Sequence, residues 1–438
     1  MPAEEYIPIL SATHGNSYAD YERKDTVIRR LRILVFVTIL IIVSIILAHF
    51  VLSLINNDGS GSNDDSLVQL KSFAGSWTHF FSVLSHFSEA NDVLRLPIHG
   101  EFQCEKGLLD PSTISPIDAN RVRPADVKYI AAMGDSYATG FRSYSTSGME
   151  GASNDTRNIV GNSFIMGGDG SFEDHLTLAN VFRHLNPSLI GSSTGIGLQE
   201  TETNLNVAMP GMWANDMPRQ ARELIRRFNK YPSSSIREDW KLINIFIGTR
   251  DITGYCLGQG GTNKAEYKGN ITEAIQILQE ALPKTIISII GMTNLDFMWR
   301  TEIIVKGLTI PCAVGNFELL AQRRIEEYRE VGVELVSYYR HAARKDHAVI
   351  IQHIFDDLWI PLRNDDNSFN AEFYSSDSFH LSNYGNSLVA KQLWNHLVSP
   401  DHRKITNNMM MSDDSSILFC PEPDCPFIRT PANSVGCS

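Results

Sequence analysis

The chain has 438 residues, of which 43% are hydrophobic and 9% aromatic, so it can bury a large core and has room for two or three domains. This composition excludes disorder as the default state. A formal net charge of -12, with no basic stripe in the body of the sequence, argues against a nucleic-acid partner, because phosphate binding requires a surplus of Lys and Arg on one face.

The first predicted element is an apolar run at residues 33–55, which is long enough to cross a bilayer as a helix. Residues 1–32, a predicted cytosolic tail, carry Arg and Lys close to the run, whereas acidic residues follow it. We therefore expect a single-pass type II membrane protein whose main domain is extracellular or lumenal. A cleaved signal peptide is the alternative, although the run is long for such a segment and no clear small-x-small cleavage site follows it.

Residues 56–100 are predicted to form a linker and stalk, and residues 101–438 form the main domain. The predicted strands are Val127–Met133, Leu205–Met209, Leu242–Ile247, Thr285–Ile290 and Ala348–Gln352. The predicted helices are Asn215–Phe228, Thr272–Ala281, Asn316–Arg344 and Tyr384–Val398. Apolar strands that alternate with helices predict an α/β/α layered domain of about five parallel strands, with the ligand site at their carboxyl ends.

All six cysteines follow the apolar run, in a compartment where disulfides persist: Cys104, Cys256, Cys312, Cys420, Cys425 and Cys437. They permit about 15 complete pairings. We expect Cys256 to pair with Cys312, because each follows a sheet strand at the cleft end. The last three cysteines lack the tight spacing of a zinc site, so no metal is expected. Two N-glycosylation sequons, at Asn154 and Asn270, fit the same compartment.

Two motifs at opposite ends of the domain carry chemistry. The first strand ends in IAAMGDSYATG, so Ser136 is expected where a strand gives way to a helix, beside backbone N–H groups that stabilise an oxyanion. The segment SSDSFHLSNYG places Asp377 and His380 three residues apart, just before the last helix. An Asp at this spacing accepts the Nδ1 proton of its His and leaves Nε2 to face the serine, which predicts a Ser136–Asp377–His380 triad.

Longer motifs in the same order resemble the GDSL or SGNH hydrolases, and within them the phospholipase B-like lipases. The resemblance runs from Phe102 to Ser434, through RVRPADVKYIAAMGDS, GGDGSFEDHLTLANVFRHLNPSLIGSSTG, NVAMPGMWANDMPRQAR and CPEPDCPFIRTPANS. It implies a flavodoxin-like sheet and hydrolysis of lipid esters, without a metal or cofactor. It also implies that the backbone N–H groups of Ser136 and Gly211 form the oxyanion hole.

One position departs from the pattern of the family. The family's Gly-x-Asn-Asp block appears as Gly248-Thr249-Arg250-Asp251, so Arg250 replaces the Asn that donates to the oxyanion. Three outcomes are open: Arg250 donates in place of the Asn, it occupies the acyl site, or it turns away to pair with an acidic residue.

Three functions follow from these motifs. The leading hypothesis is an esterase acting on phospholipids, lysophospholipids or neutral lipids. The second is a binding or structural ectodomain whose catalysis is weakened or lost, because of Arg250. The third is an esterase that removes acyl groups from glycans. No motif indicates an oligomeric state.

Overall fold

The structure is a computed structural model, and the residues that it describes include the predicted catalytic serine and histidine. The chain divides into two units, Met1–Glu89 and Ala90–Ser438, and every described residue lies in the second. The described ranges are 96–143, 157–256, 260–294, 317–340, 344–356, 372–375, 379–400 and 415–437. The predicted membrane segment at 33–55 lies outside them. Within them, no helix has the length and apolar character needed to cross a bilayer.

A four-stranded parallel sheet forms the centre of the domain. The strands of the described residues are β1 (Glu101–Phe102), β2 (Val127–Gly134), β3 (Trp240–Phe246), β4 (Thr285–Ile290), β5 (His347–Gln352) and β6 (Ile417–Leu418). Strands β2, β3, β4 and β5 pair in that order, whereas β1 and β6 pair separately. Every residue of β3 and β4 is buried, which explains why most of their side chains are apolar.

The predicted strand Leu205–Met209 is wrong as a regular strand, because it forms only an isolated bridge between Asn206 and Ala132 of β2. The backbone N–H of Val207 donates to the carbonyl of Ala132 at 2.9 Å, and Pro210, which lacks an N–H donor, follows the segment. With this edge segment included, the strands follow the flavodoxin-like order 2-1-3-4-5. In that order, ligands bind beyond the carboxyl ends of β2 and β3.

The described helices are α1 (Leu178–Leu185), α2 (Glu200–Thr203), α3 (Met217–Phe228), α4 (Ser233–Glu238), α5 (Thr249–Cys256), α6 (Lys264–Ala281), α7 (Phe317–Arg340) and α8 (Asn383–Val398). Helix α6 begins well before the predicted Thr272. Asn263 caps it, and the side chains of Asn263 and Glu266 each accept a backbone N–H of the other residue. The apolar pattern alone missed this start, because the first turns of α6 are polar.

Two groups of helices cover the sheet and confirm the predicted α/β hydrolase architecture. Helices α3, α6 and α7 pack side by side, and Gly332 of α7 lies against Ile289 and Ile351 of the sheet. Helices α1 and α8 form the other group, in which the rings of Phe182 and Trp394 are 5.9 Å apart. All of α8 from Tyr384 to Val398 is buried.

The C-terminal tail is bonded to the start of the domain. Disulfides join Cys104 to Cys420 and Cys425 to Cys437. The predicted Cys256–Cys312 pair lies outside the described residues, because Cys312 and the side chain of Cys256 are not among them. The tail is therefore part of the folded domain.

Candidate active site

The end of β2 is fixed by close contacts before the chain reaches Ser136. Gly134 has φ +153°, and a Cβ there would lie 2.1 Å from the carbonyl oxygen of Phe246 on β3, so only glycine fits. The buried side chain of Gln220, on α3, bonds both backbone groups of Gly134. Its Oε1 accepts the N–H at 2.8 Å and its Nε2 donates to the carbonyl at 2.9 Å. These bonds fix the strand end that carries Ser136.

Ser136 opens a tight turn, and the regular helix predicted to follow it is absent from residues 135–140. The carbonyl of Ser136 accepts the backbone N–H groups of Thr139 and Phe141, both at 3.3 Å. Gly140, with φ +65°, then changes the direction of the chain. The turn presents the hydroxyl of Ser136 at the carboxyl edge of the sheet.

The structure brings His380 to Ser136 across 244 residues of sequence. Its Nε2 lies 2.8 Å from Oγ of Ser136, and the two residues are only 7% and 9% exposed. The backbone of the histidine loop is held on both sides. The N–H of Ser375 donates to the carbonyl of His380 at 2.7 Å, and Ser382 caps α8 immediately afterwards. This is the contact that a histidine base needs to remove the serine proton.

Three aromatic rings enclose the imidazole of His380. The ring centroids of Phe379, Phe141 and Tyr137 lie 4.6, 4.8 and 5.4 Å from that of His380. In addition, the Tyr137 hydroxyl donates to the backbone carbonyl of Phe379 at 2.7 Å and joins the serine turn to the histidine loop. Sequence reasoning did not identify Tyr137 or Phe141, because their partners are distant in the chain.

Asp377, the predicted orienting carboxylate, lies outside the described residues and remains a prediction. A second carboxylate, Asp135, precedes the nucleophile directly and is fully buried. Burial raises the pKa of Asp135 to about 6, against the lowering effects of hydrogen bonds from Thr249 and Tyr137 and of the charge on His380. Its Oδ2 accepts the Thr249 hydroxyl at 2.5 Å, and this bond joins the serine turn to the start of α5.

The other two predicted oxyanion residues, Gly211 and Arg250, follow the segments that pair with β2 on its two sides. The backbone N–H of Met209 donates to the carbonyl of Gly134 at 3.2 Å. Gly211 lies two residues after Met209, and Ser136 lies two residues after Gly134. Arg250 is in the first turn of α5, and its Cζ lies 5.1 Å from the ring centroid of Trp213. The guanidinium of Arg250 therefore contacts the ring of Trp213.

Other predicted sites have fewer structural data. Asn270 lies within α6 and is partly exposed, and Asn154 lies outside the described residues, so glycosylation of both remains a prediction. Among the described residues, no group of three or more His, Cys, Asp or Glu side chains is arranged to hold a metal ion.

The strand order, the close approach of Ser136 to His380 and the motifs at the sheet edge define a serine hydrolase fold. The model of the GDSL-like lipase/acylhydrolase family matches residues 130–393, and the chain belongs to this family of carboxylic ester hydrolases. The resemblance in the sequence motifs is therefore confirmed.

Curated relatives lie in the phospholipase B branch. The chain is 33% identical over 336 residues to "Phospholipase B1, membrane-associated" of Rattus norvegicus and 32% identical over 330 residues to that of Homo sapiens. These matches cover 74% and 73% of this chain but only 22% of each relative. The chain therefore spans about a fifth of the length of these relatives. A carbohydrate esterase family 3 structure from Talaromyces cellulolyticus covers 60% of this chain and 93% of its own, with 13% identity and a TM-score of 0.32.

Proposed function

We propose that this protein hydrolyses carboxylic ester bonds of lipids, such as phospholipids, lysophospholipids or neutral lipids, through an acyl-serine intermediate. The observation that carries the proposal is the 2.8 Å contact between Nε2 of His380 and Oγ of Ser136. Family membership and the similarity to proteins named phospholipase B1 support a lipid ester as the substrate.

The reaction follows from the positions of these atoms. Oγ of Ser136 attacks the ester carbonyl carbon while Nε2 of His380 takes its proton. The oxygen of the tetrahedral intermediate accepts hydrogen bonds from the backbone N–H groups of Ser136 and Gly211. The bond to the alcohol oxygen then breaks, and His380 protonates that oxygen.

Hydrolysis of the acyl-serine repeats these steps with water. His380 takes a proton from the attacking water, and Ser136 regains its proton as the fatty acid leaves. An ionised Asp135 favours the imidazolium that forms in each half-reaction, because the charges of these two buried groups attract each other.

A fluorophosphonate probe tests the nucleophile. The full-length protein in mild detergent should be labelled, and Ser136→Ala should abolish the labelling. Ser171→Ala is the matched control, because its hydroxyl takes part in an exposed hydrogen bond to Asp174, at 2.7 Å, and its loss should not affect the labelling. Circular dichroism should show that both variants fold. Equal labelling of Ser136→Ala, or none of the folded wild type, would contradict the proposal.

We also propose that residues 33–55 anchor the protein as a single-pass type II membrane protein with an extracellular or lumenal hydrolase domain. The apolar run and its basic flank support this topology, and the disulfides of Cys104 and Cys425 suit an oxidising compartment. In sealed microsomes, external protease should remove only the N-terminal tail. Digestion of the hydrolase domain without detergent would contradict the topology.

Arg250 motivates the second candidate, an ectodomain whose catalysis is weakened or lost. Removal of one oxyanion donor typically lowers the rate by about 100 to 1,000-fold. A large gain in esterase activity for Arg250→Asn would favour this candidate, and little change would favour an active enzyme.

A further inference from the structure

The ring of Phe141 lies beside the two reacting side chains. Its centroid is 4.8 Å from that of the His380 imidazole, whose Nε2 lies 2.8 Å from Oγ of Ser136. Tyr137, another ring on this imidazole, is only 4% exposed, and the third ring, Phe379, packs against the hydrophobic core. Phe141 is partly exposed. It therefore combines a short distance from the reacting atoms with apolar surface that a ligand can reach.

The backbone of Phe141 is fixed to the turn that carries the nucleophile. Its N–H donates to the carbonyl of Ser136 at 3.3 Å, and Phe141 forms an antiparallel bridge with Asn158. In addition, Cζ of Arg142 lies 5.6 Å from the centroid of the Phe141 ring. The ring therefore has a defined position before a substrate binds, so binding does not have to order it.

The chemistry of ester cleavage decides which part of a substrate lies closest to this ring. His380 must protonate the alcohol oxygen when the ester bond breaks, so that oxygen lies about 3 Å from Nε2. The alcohol oxygen is then roughly 9 Å or less from the centre of the Phe141 ring, a distance that a short alkyl chain spans. The alcohol part is thus the part of the ester nearest to the imidazole and to its aromatic neighbours.

We infer that Phe141 binds the alcohol part of the ester and makes the enzyme prefer esters whose alcohol carries a hydrocarbon chain. An alkyl chain gains free energy when it leaves water for an aromatic ring, whereas a hydroxyl-rich alcohol loses hydrogen bonds to water in the same contact. A diacyl lipid meets this requirement, because its leaving alcohol still carries the second acyl chain. This inference rests on the proposed function, because it assigns a substrate preference to the same site.

Two isomeric esters test the preference. Hexyl acetate has its long chain on the alcohol side, whereas ethyl hexanoate, with the same atoms, has it on the acyl side. We would measure kcat/KM of the full-length protein for both. Phe141→Ala should lower the ratio of hexyl acetate to ethyl hexanoate at least about fivefold, since burial of one methylene changes an equilibrium by a factor of roughly four. A ring that only positions His380 would affect both esters equally, so an unchanged ratio would overturn the inference.

Two further variants complete the test. Phe141→Gln replaces the ring with a polar side chain and should lower the ratio as Phe141→Ala does, so it serves if circular dichroism shows that the Ala variant does not fold. Phe419→Ala is the control, because it removes a ring that is 40% exposed in the C-terminal tail, and it should leave the ratio unchanged.

Binding to a protein that cannot hydrolyse the ester separates this inference from the proposed function. In a saturation-transfer NMR titration, Ser136→Ala should bind 1-hexanol at least about fivefold more tightly than the protein that also carries Phe141→Ala. Equal affinities would overturn the inference. Hydrolysis of neither ester by the folded wild type would contradict the proposed function, and the affinities for 1-hexanol would still decide the inference.

Discussion

The two hydrogen bonds between Gln220 and Gly134 give a quantitative test of how the nucleophile is held. Gln220→Leu preserves the size of the side chain but removes both bonds at a site that is 3% exposed. In this variant, the carbonyl of Gly134 still accepts the N–H of Met209, at 3.2 Å. Loss of the second hydrogen bond to this carbonyl should therefore destabilise the protein by about 1 kcal/mol, as for an ordinary hydrogen bond. The N–H of Gly134 loses its acceptor, and a buried donor without a partner lowers the stability by about 1–3 kcal/mol. We therefore expect the free energy of unfolding to fall by about 2–4 kcal/mol.

Urea titration of the full-length protein, followed by near-ultraviolet circular dichroism, measures this change. Gln276→Leu is the control, because Gln276 is exposed on α6 and its replacement should change the free energy by less than about 0.5 kcal/mol. Gly134 lies two residues before Ser136, so kcat should also fall for Gln220→Leu.

Gln220→Glu sharpens this test. A protonated Glu can accept from the N–H of Gly134 and donate to its carbonyl, whereas an ionised Glu cannot donate. This variant should therefore be more stable relative to the wild type at pH 5 than at pH 8. A Gln220→Leu protein within 0.5 kcal/mol of the wild type, or a Glu variant without this pH dependence, would refute the reasoning.

Three further predictions concern the surroundings of the site. Because burial raises the pKa of Asp135 from 3.8 to about 6, its contribution to stability is complete below pH 4 and is lost as the pH rises through 6. In urea titrations from pH 4 to pH 7, the wild type should therefore lose about 2 kcal/mol relative to Asp135→Asn, and a constant difference would contradict this assignment. Tyr137→Phe should lower kcat several-fold with little change in KM, because it frees the loop of His380; an unchanged kcat in steady-state assays would contradict it. Replacement of Cys104 and Cys420 by Ser should lower the free energy of unfolding by about 2–5 kcal/mol in the same titrations, and equal stability with and without reductant would contradict this.

The local pattern of the sequence sufficed to place most of the sheet. The strand Thr285–Ile290 has the predicted bounds, and the bounds of Val127–Gly134 differ from the prediction by one residue, because buried parallel strands are short segments rich in apolar residues. Ser136 and His380 were identified because each lies in a short motif at the end of a regular element. Strand character and short motifs depend on a few consecutive residues, so a single sequence is enough to predict them.

Only the tertiary structure decided which distant groups meet. Gln220 and Tyr137 carry no local signal for their roles, since their partners Gly134 and Phe379 lie 86 and 242 residues away. Likewise, the contact of Arg250 with Trp213 depends on how α5 packs on the preceding loop. The periodicity of a sequence indicates which face of an element is buried, whereas these contacts depend on how the elements pack against each other. The sequence was therefore sufficient to predict the reacting residues, and the tertiary structure determined which side chains position them.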